Sequence, residues 1–99
     1  MPIARTEPPS LASRVRIADD VLFHDLQGEM VLLNLKTGVY FGLDPVGTRV
    51  WHLIQEHGAL RKVRDTLVEE YEVAETRCAD DLLRLVAQLQ ENGLVDVAA

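Results

Sequence analysis

Hydrophobic residues recur at two different periods along this chain, and the period changes between Leu43 and Val46. Before that point short apolar runs are bounded by turn residues. Val15–Ala18 is followed by Asp19-Asp20, Val21–Leu26 by Gln27-Gly28, Glu29–Leu35 by Lys36-Thr37-Gly38, and then comes Val39–Leu43. Runs of this length with such boundaries predict β-strands, the first of them short. After that point Val46, Val50, Leu53 and Ile54 recur at helical spacing, with Asp44 to cap, Pro45 at the first helical position and Gly58 to stop. A second helix is predicted over about Leu60–Tyr71, with Leu60, Val63, Leu67 and Tyr71 on its buried face. A third is predicted over about Arg77–Asn92, capped by Thr76 and ended by Asn92-Gly93, with Leu94-Val95 as an extended tail packing back on the core. Strands first and helices after give an α+β fold: a small antiparallel sheet of three to four strands followed by three α-helices, in the manner of a winged helix-turn-helix.

The stretch Met30–Trp51 organises the rest. A three-residue loop, Lys36-Thr37-Gly38, sets Leu35 opposite Val39, Leu33 opposite Phe41 and Val31 opposite Leu43. Those six side chains form the face to be covered, and Met30, Leu32, Asn34, Tyr40 and Gly42 form the face that tolerates water. Met30–Leu35 becomes the central strand, so the outer edge of Val39–Leu43 has no neighbour. A glycine inside a helix costs about 1 kcal/mol relative to alanine, so Gly47 predicts close approach of helix to sheet beside Trp51.

The third helix carries more apolar surface than one core requires. Cys78, Leu82, Leu85, Val86 and Leu89 share one arc of its wheel, and Ala79, Leu83 and Ala87, with Gln90, share an adjacent flank. Arg84, Asp80, Asp81, Gln88 and Glu91 fill the solvated side. The small-residue flank is either further packing or one wall of a groove.

Length and charge narrow the classes of function. A chain of 99 residues builds one core and leaves little room for an enclosed substrate cavity. Residues 1–13, rich in Pro, Ser and Ala, are expected to be a loose arm, with the folded domain over 14–97. With no signal peptide and no apolar run of membrane-span length, a cytoplasmic protein without membrane contact is expected. A formal net charge of −6 opposes nucleic acid and anionic lipid, which are bound through clustered Lys and Arg.

No catalytic or metal-binding constellation is present in the sequence, and none is expected; no cofactor is implied. His52 and His57 are five apart on a helix and do not converge on one metal, and with His24 they read as surface residues. Glu69-Glu70 and Asp80-Asp81 are consecutive on helices and point apart. The single Cys78 has no partner for a disulfide and reads as a small core residue.

The open edge carries the functional reading. Val39–Leu43 contains neither proline nor lysine to discourage pairing, and an extended peptide added there gains main-chain hydrogen bonds. The Leu83 flank, if alongside, supplies side-chain pockets; Leu83→Asp then weakens binding, while Leu89→Asp unfolds the core. The bland alternative is an edge covered by residues 1–13 or by a second copy. A winged-helix DNA-binding regulator is the runner-up, and the third helix argues against it, with two arginines set against Asp80, Asp81 and Glu91.

The run LNLKTGVYFGLDPVGTRVW, the LVEEYEV of Leu67–Val73 and the DDLLRLVAQLQENGL of Asp80–Leu94 resemble the PqqD-like peptide chaperones, also called RiPP recognition elements. The pattern Gly38-x-Tyr40-x-x-Leu43-Asp44-x-x-Gly47-x-x-x-Trp51 is most similar to the stand-alone members of lasso-peptide biosynthesis. The resemblance spans about residues 15–96. It implies a non-enzymatic adaptor that holds the leader of a ribosomally made precursor as an added antiparallel strand and presents it to an enzyme. That enzyme is a leader peptidase in lasso systems or a radical SAM enzyme in the cofactor-forming branch. It further implies a peptide site made of Val39, Tyr40, Phe41, Gly42 and Leu43 on the strand and Ala79, Leu83, Val86, Ala87 and Gln90 on the third helix. The arm, Met1–Ser13, falls outside the family pattern and is left to shield the edge, swap between copies or dock the partner.

Overall fold

A computed structural model describes residues 8–98. The order is β1 (Arg14–Ile17), β2 (Val21–Leu26), β3 (Glu29–Asn34), β4 (Tyr40–Leu43), α1 (Pro45–His57), α2 (Leu60–Tyr71), α3 (Glu75–Glu91) and β5 (Val95–Ala98). The expected α+β arrangement is present, with β3 central in an antiparallel β2-β3-β4 sheet. The extended tail after α3 packs back on the core as expected, with Leu94 and Val95 buried, and it continues as a strand: β5 pairs antiparallel with β1 from Ile17↔Val95 to Arg14↔Ala98, making a second, two-stranded sheet. Of the expected arm, residues 10–13 form a turn in which Ser13 Oγ accepts from Ser10 N, and Ser13 O accepts from Leu60 N at the start of α2. Pro8 and Pro9 have no regular structure, and residues 1–7 of the arm lie outside the described residues.

The hairpin register differs from the expected one by one position. Leu32, not Leu33, is opposite Phe41, and the five residues 35–39 connect β3 to β4. Because side chains alternate, this slip turns β3 over. Met30 and Leu32 are in the core at 2% and 0% exposure, while Leu35, expected inside, is 55% exposed. On β4 the expectation holds: Leu43 is buried and Phe41 packs against the core, although Val39 is exposed.

The cause is Asn34, a polar residue on the inward face. Its Oδ1 accepts from Lys36 N at 2.9 Å and Thr37 N at 3.4 Å, which builds the turn. Its Nδ2 donates to the carbonyls of Asn92 and Gly93 at the end of α3. A buried amide with these partners offsets its desolvation, and hydrophobicity alone could not reveal it, since Met30-Val31-Leu32-Leu33 is apolar on both faces.

The helices cover the inward side. Trp51, Leu53 and Ile54 of α1, Leu60 and Val63 of α2 and Leu82, Val86 and Leu89 of α3 are all at 2% exposure or less. Asp44 caps α1 by accepting from Gly47 N at 2.7 Å. A Cβ on Gly47 would lie 3.2 Å from both Leu43 Cδ2 and Asp44 Oδ1, so the close approach foreseen there is to the end of β4 and the cap. Helix α3 starts two residues before the expected Arg77; Ala74 is its N-cap and Thr76 lies inside it. Tyr71, expected on the buried face of α2, is 42% exposed. The expected surface and core assignments of the remaining polar residues hold for His24 and His52, which are exposed, and for Cys78, which is buried.

Candidate functional site

One turn of α1 fixes the end of β4. Thr48, buried in the first turn, accepts from Met30 N at 3.0 Å and donates to Leu43 O at 3.3 Å. A single hydroxyl thus ties the last ladder positions of β3 and β4 to the helix. At the other end Asn34 N donates to Val39 O at 2.9 Å. Antiparallel ladders alternate, so Phe41 directs its N–H and C=O toward β3, and Tyr40 and Gly42 direct theirs to the outer edge. The sheet ends there: β4 is the terminal strand, and no described residue pairs with its outer side.

β2 forms the other border and is armed differently. The bond from Leu35 N to Asp20 O continues the β2–β3 ladder, and the same alternation leaves the amides of Phe23 and Asp25 on the outer edge of β2. The Asp25 carboxylate, on the inward side of that edge, accepts from Gly28 N and lies 3.6 Å from His52 Nε2. Phe23 meets the buried Trp51 ring edge-on, with centroids 5.6 Å apart. An inward charge on an edge strand discourages pairing. β4 has no such charge.

Beside β4 runs a groove of about 420 Å³, lined on the strand by Phe41, Gly42 and Leu43 and on α3 by Leu85 and Gln88, with Val46 and Gly47 at its end. Val46 and Leu85 also border a second cavity of about 540 Å³, walled by Val50, Leu67, Tyr71, Val73 and Leu82, with Arg77 and Asp81 at its mouth. The two spaces share that pair of lining residues, one space lying at the strand edge and the other toward the start of α3. Both volumes lie in the range of small-ligand and side-chain pockets.

The residues expected at the site are divided by this geometry. Tyr40, Phe41, Gly42 and Leu43 lie along the edge and the groove, with Val39 leading into them. On α3, Val86 is fully buried and belongs to the core. At 100° per residue, Ala79, Leu83, Ala87 and Gln90 fall on one side of the core line Cys78, Leu82, Val86, Leu89, and Leu85, Gln88 and Asp81 fall on the other. Gln90 borders β5, beside Val95 and Val97. The flank that meets β4 is therefore that of Leu85 and Gln88, which the wheel assigned to the core arc and to solvent. A wheel gives two flanks but not which of them faces β4; that follows from the side on which β5 returns.

Burial pushes the Cys78 thiol above its usual pKa, and its Sγ contacts Arg64 O at 3.9 Å. The hydrogen bond between Arg49 and Glu70 holds the Glu70 carboxyl below the usual carboxylate range and raises Arg49; it joins α1 to α2. Among the described residues there is no group of three or more His, Cys, Asp or Glu side chains arranged to hold a metal ion. No helix among them is long and apolar enough to cross a membrane.

Comparison with known proteins gives consistent matches. The family model described as coenzyme PQQ synthesis protein D matches residues 29–95. No curated protein matches the chain. A solved structure of TbiB1 in complex with the TbiA(beta) leader peptide is 36% identical, with a TM-score of 0.78, over 81% of this chain and 93% of that one. A structure of lasso peptide synthetase B1 complexed with the leader peptide is 27% identical, with a TM-score of 0.75, over 83% of this chain and 96% of that one.

Proposed function

Since this chain belongs to the PqqD family, we propose that it is a leader-peptide adaptor of the lasso type, which captures a precursor's leader as a fourth strand on β4. The observation that carries this reading is the uncovered β4 edge beside a groove lined by Phe41, Leu43, Val46, Leu85 and Gln88. The amides of Tyr40 and Gly42 supply main-chain hydrogen bonds, and Phe41, Leu43, Leu85 and Gln88 receive every second side chain of the guest. Antiparallel addition sets the direction. The guest's upstream end lies at Leu43 and Val46, next to the second cavity, and its downstream end lies at Tyr40.

Both neighbours of known structure hold a leader peptide, which supports the same ligand class here. We assign the protein no chemistry of its own; the captured precursor goes to a separate enzyme, a leader peptidase in the lasso setting. The DNA-binding alternative fares worse: the exposed residues of α3 include Asp80, Asp81 and Glu91, and the chain's net charge is −6. Titration of a fluorescently labelled leader peptide tests the reading. Saturable binding that is insensitive to added duplex DNA is expected; absence of binding to the leader would end it.

A further inference from the structure

The flank of α3 that meets β4 carries an amide in an apolar wall. Leu85 and Gln88 follow one another there one turn apart, facing Phe41 and Leu43, with Val46 at the end. Gln88 is exposed, and its backbone carbonyl is taken by Asn92, whose N and Nδ2 donate to it at 3.2 and 2.8 Å. Its side-chain amide has no hydrogen-bond partner among the described residues. The other polar residue of the groove, Asp44, is committed to capping α1 through Gly47 N. The Gln88 amide is open to solvent in the free protein, but a strand seated in the groove covers it. A covered amide without partners weakens the complex, so the guest has to supply them.

The register along the groove follows from its two ends. Asn34 N donates to Val39 O, and Asn34 Nδ2 donates to the carbonyls of Asn92 and Gly93, so the end of α3 lies at the start of β4. At the other end Leu85 borders a cavity with Val46, just beyond Leu43. α3 therefore runs against β4 and in the same direction as an antiparallel guest. Leu85 and Gln88 are about 4.5 Å apart along the helix axis, and two strand residues span about 6.8 Å. Successive inward side chains of the guest thus meet successive turns. The one opposite Leu43 meets Leu85, and the one opposite Phe41 meets Gln88.

We infer that Gln88 is a specificity-determining residue, which selects a guest with an uncharged hydrogen-bonding side chain (Ser, Thr, Asn or Gln) two residues downstream of an aliphatic anchor. The inference rests on the strand-capture reading above. The main-chain groups of the guest lie in the plane of the sheet, where half of them pair with Tyr40 and Gly42. The groups that reach toward the helix layer are its side chains. A charged side chain is disfavoured at this position, because Phe41, Leu43 and Leu85 would strip it of water. An apolar one leaves the Gln88 amide unpaired, and that penalty is what discriminates between guests.

The test uses the full chain and a labelled leader peptide whose residues are replaced one at a time by apolar counterparts (Ser→Ala, Thr→Val, Asn→Leu, Gln→Leu) or, where already apolar, by alanine. Each peptide is titrated against wild type, Gln88→Leu and Leu85→Ala. Gln88→Leu is expected to weaken binding of the unmodified leader about fivefold or more. Apolar replacement of one polar leader residue is expected to cost wild type the same factor and to cost Gln88→Leu nothing further, a coupling confined to that residue. The leader residue that couples to Leu85→Ala is expected two positions upstream. Gln88→Ala, which adds no bulk to the groove, is expected to repeat the pattern of Gln88→Leu. Equal affinity of wild type and both Gln88 variants for the unmodified leader would overturn the inference and leave strand capture standing. So would a loss of the same size against every leader variant, or coupling at any other spacing. A wild-type chain that fails to bind the leader would overturn both readings.

Discussion

The side-chain amide of Asn34, at the end of β3, donates to the carbonyl of Asn92, at the end of α3, across 2.9 Å. This bond, with the one to Gly93, locks the hairpin to the end of the helix whose middle lines the groove. A Cβ on Gly93, which has φ of +70°, would lie 2.7 Å from Asn34 Nδ2, so the contact also requires glycine there.

Asn34→Ala leaves two backbone N–H groups of the turn and two carbonyls of the α3 terminus without their partner. A loss of about 1–3 kcal/mol is expected in chemical denaturation, the usual cost of orphaned polar groups. Peptide affinity is expected to fall with it, because the groove wall is no longer held in place. Unchanged stability would mean that the register is set by other contacts.

Gly42→Pro removes an edge N–H and places a ring where the guest backbone would pair. Edge strands accept proline where the N–H faces outward, so the circular-dichroism spectrum is expected to persist while leader binding is lost. Gly42→Ala is the control. An added Cβ there meets nothing within 4 Å, and binding is expected to be retained. Equal binding by both variants would argue that the β4 main chain is not used.

The two flanks of α3 are separated by Leu85→Glu and Leu83→Glu. The first places a carboxylate in the groove and is expected to weaken the peptide complex about tenfold or more. The second lies across the helix and is expected to leave affinity within about twofold. The reverse pattern would return the site to the Ala79, Leu83, Ala87 and Gln90 flank. Leu89→Asp, which buries a charge at a position with 0% exposure, is expected to unfold the chain.

Acid sensitivity follows from Glu70. Its carboxyl is held below the usual range by Arg49, so the contribution of the pair is present above the unfolded-state carboxylate pKa and is lost as pH falls through the lower folded-state value. Melting temperature measured through that acid range is expected to drop further for wild type than for Glu70→Gln. Parallel curves would show that the α1–α2 contact contributes nothing to acid stability.

The element order was legible because strands and helices use different periods and because Asp44-Pro45 and Gly58 punctuate α1 unambiguously. The open edge was legible too, since it depends on which strand is central and not on register. Register was hidden by Met30–Leu33, whose apolar residues fit either face, and was decided by a polar side chain whose partners lie at Asn92 and Gly93. The helix wall of the groove was hidden for a related reason: Leu85 and Leu83 are equally apolar, and only the β1–β5 pairing tells which side of α3 is occupied. Thr48, which ties β3 and β4 to α1, gave no signal because a threonine at that point reads as an ordinary helix residue.

Amide hydrogen exchange at Tyr40 and Gly42, with and without the leader peptide, tests strand capture at the atoms that perform it. The expected result is slow exchange of these two amides only in the complex, with Phe23 and Asp25 on the β2 edge unchanged. Protection that appears at β2 instead, or tight binding with Tyr40 and Gly42 still exchanging freely, would contradict the assignment of β4 as the receiving edge.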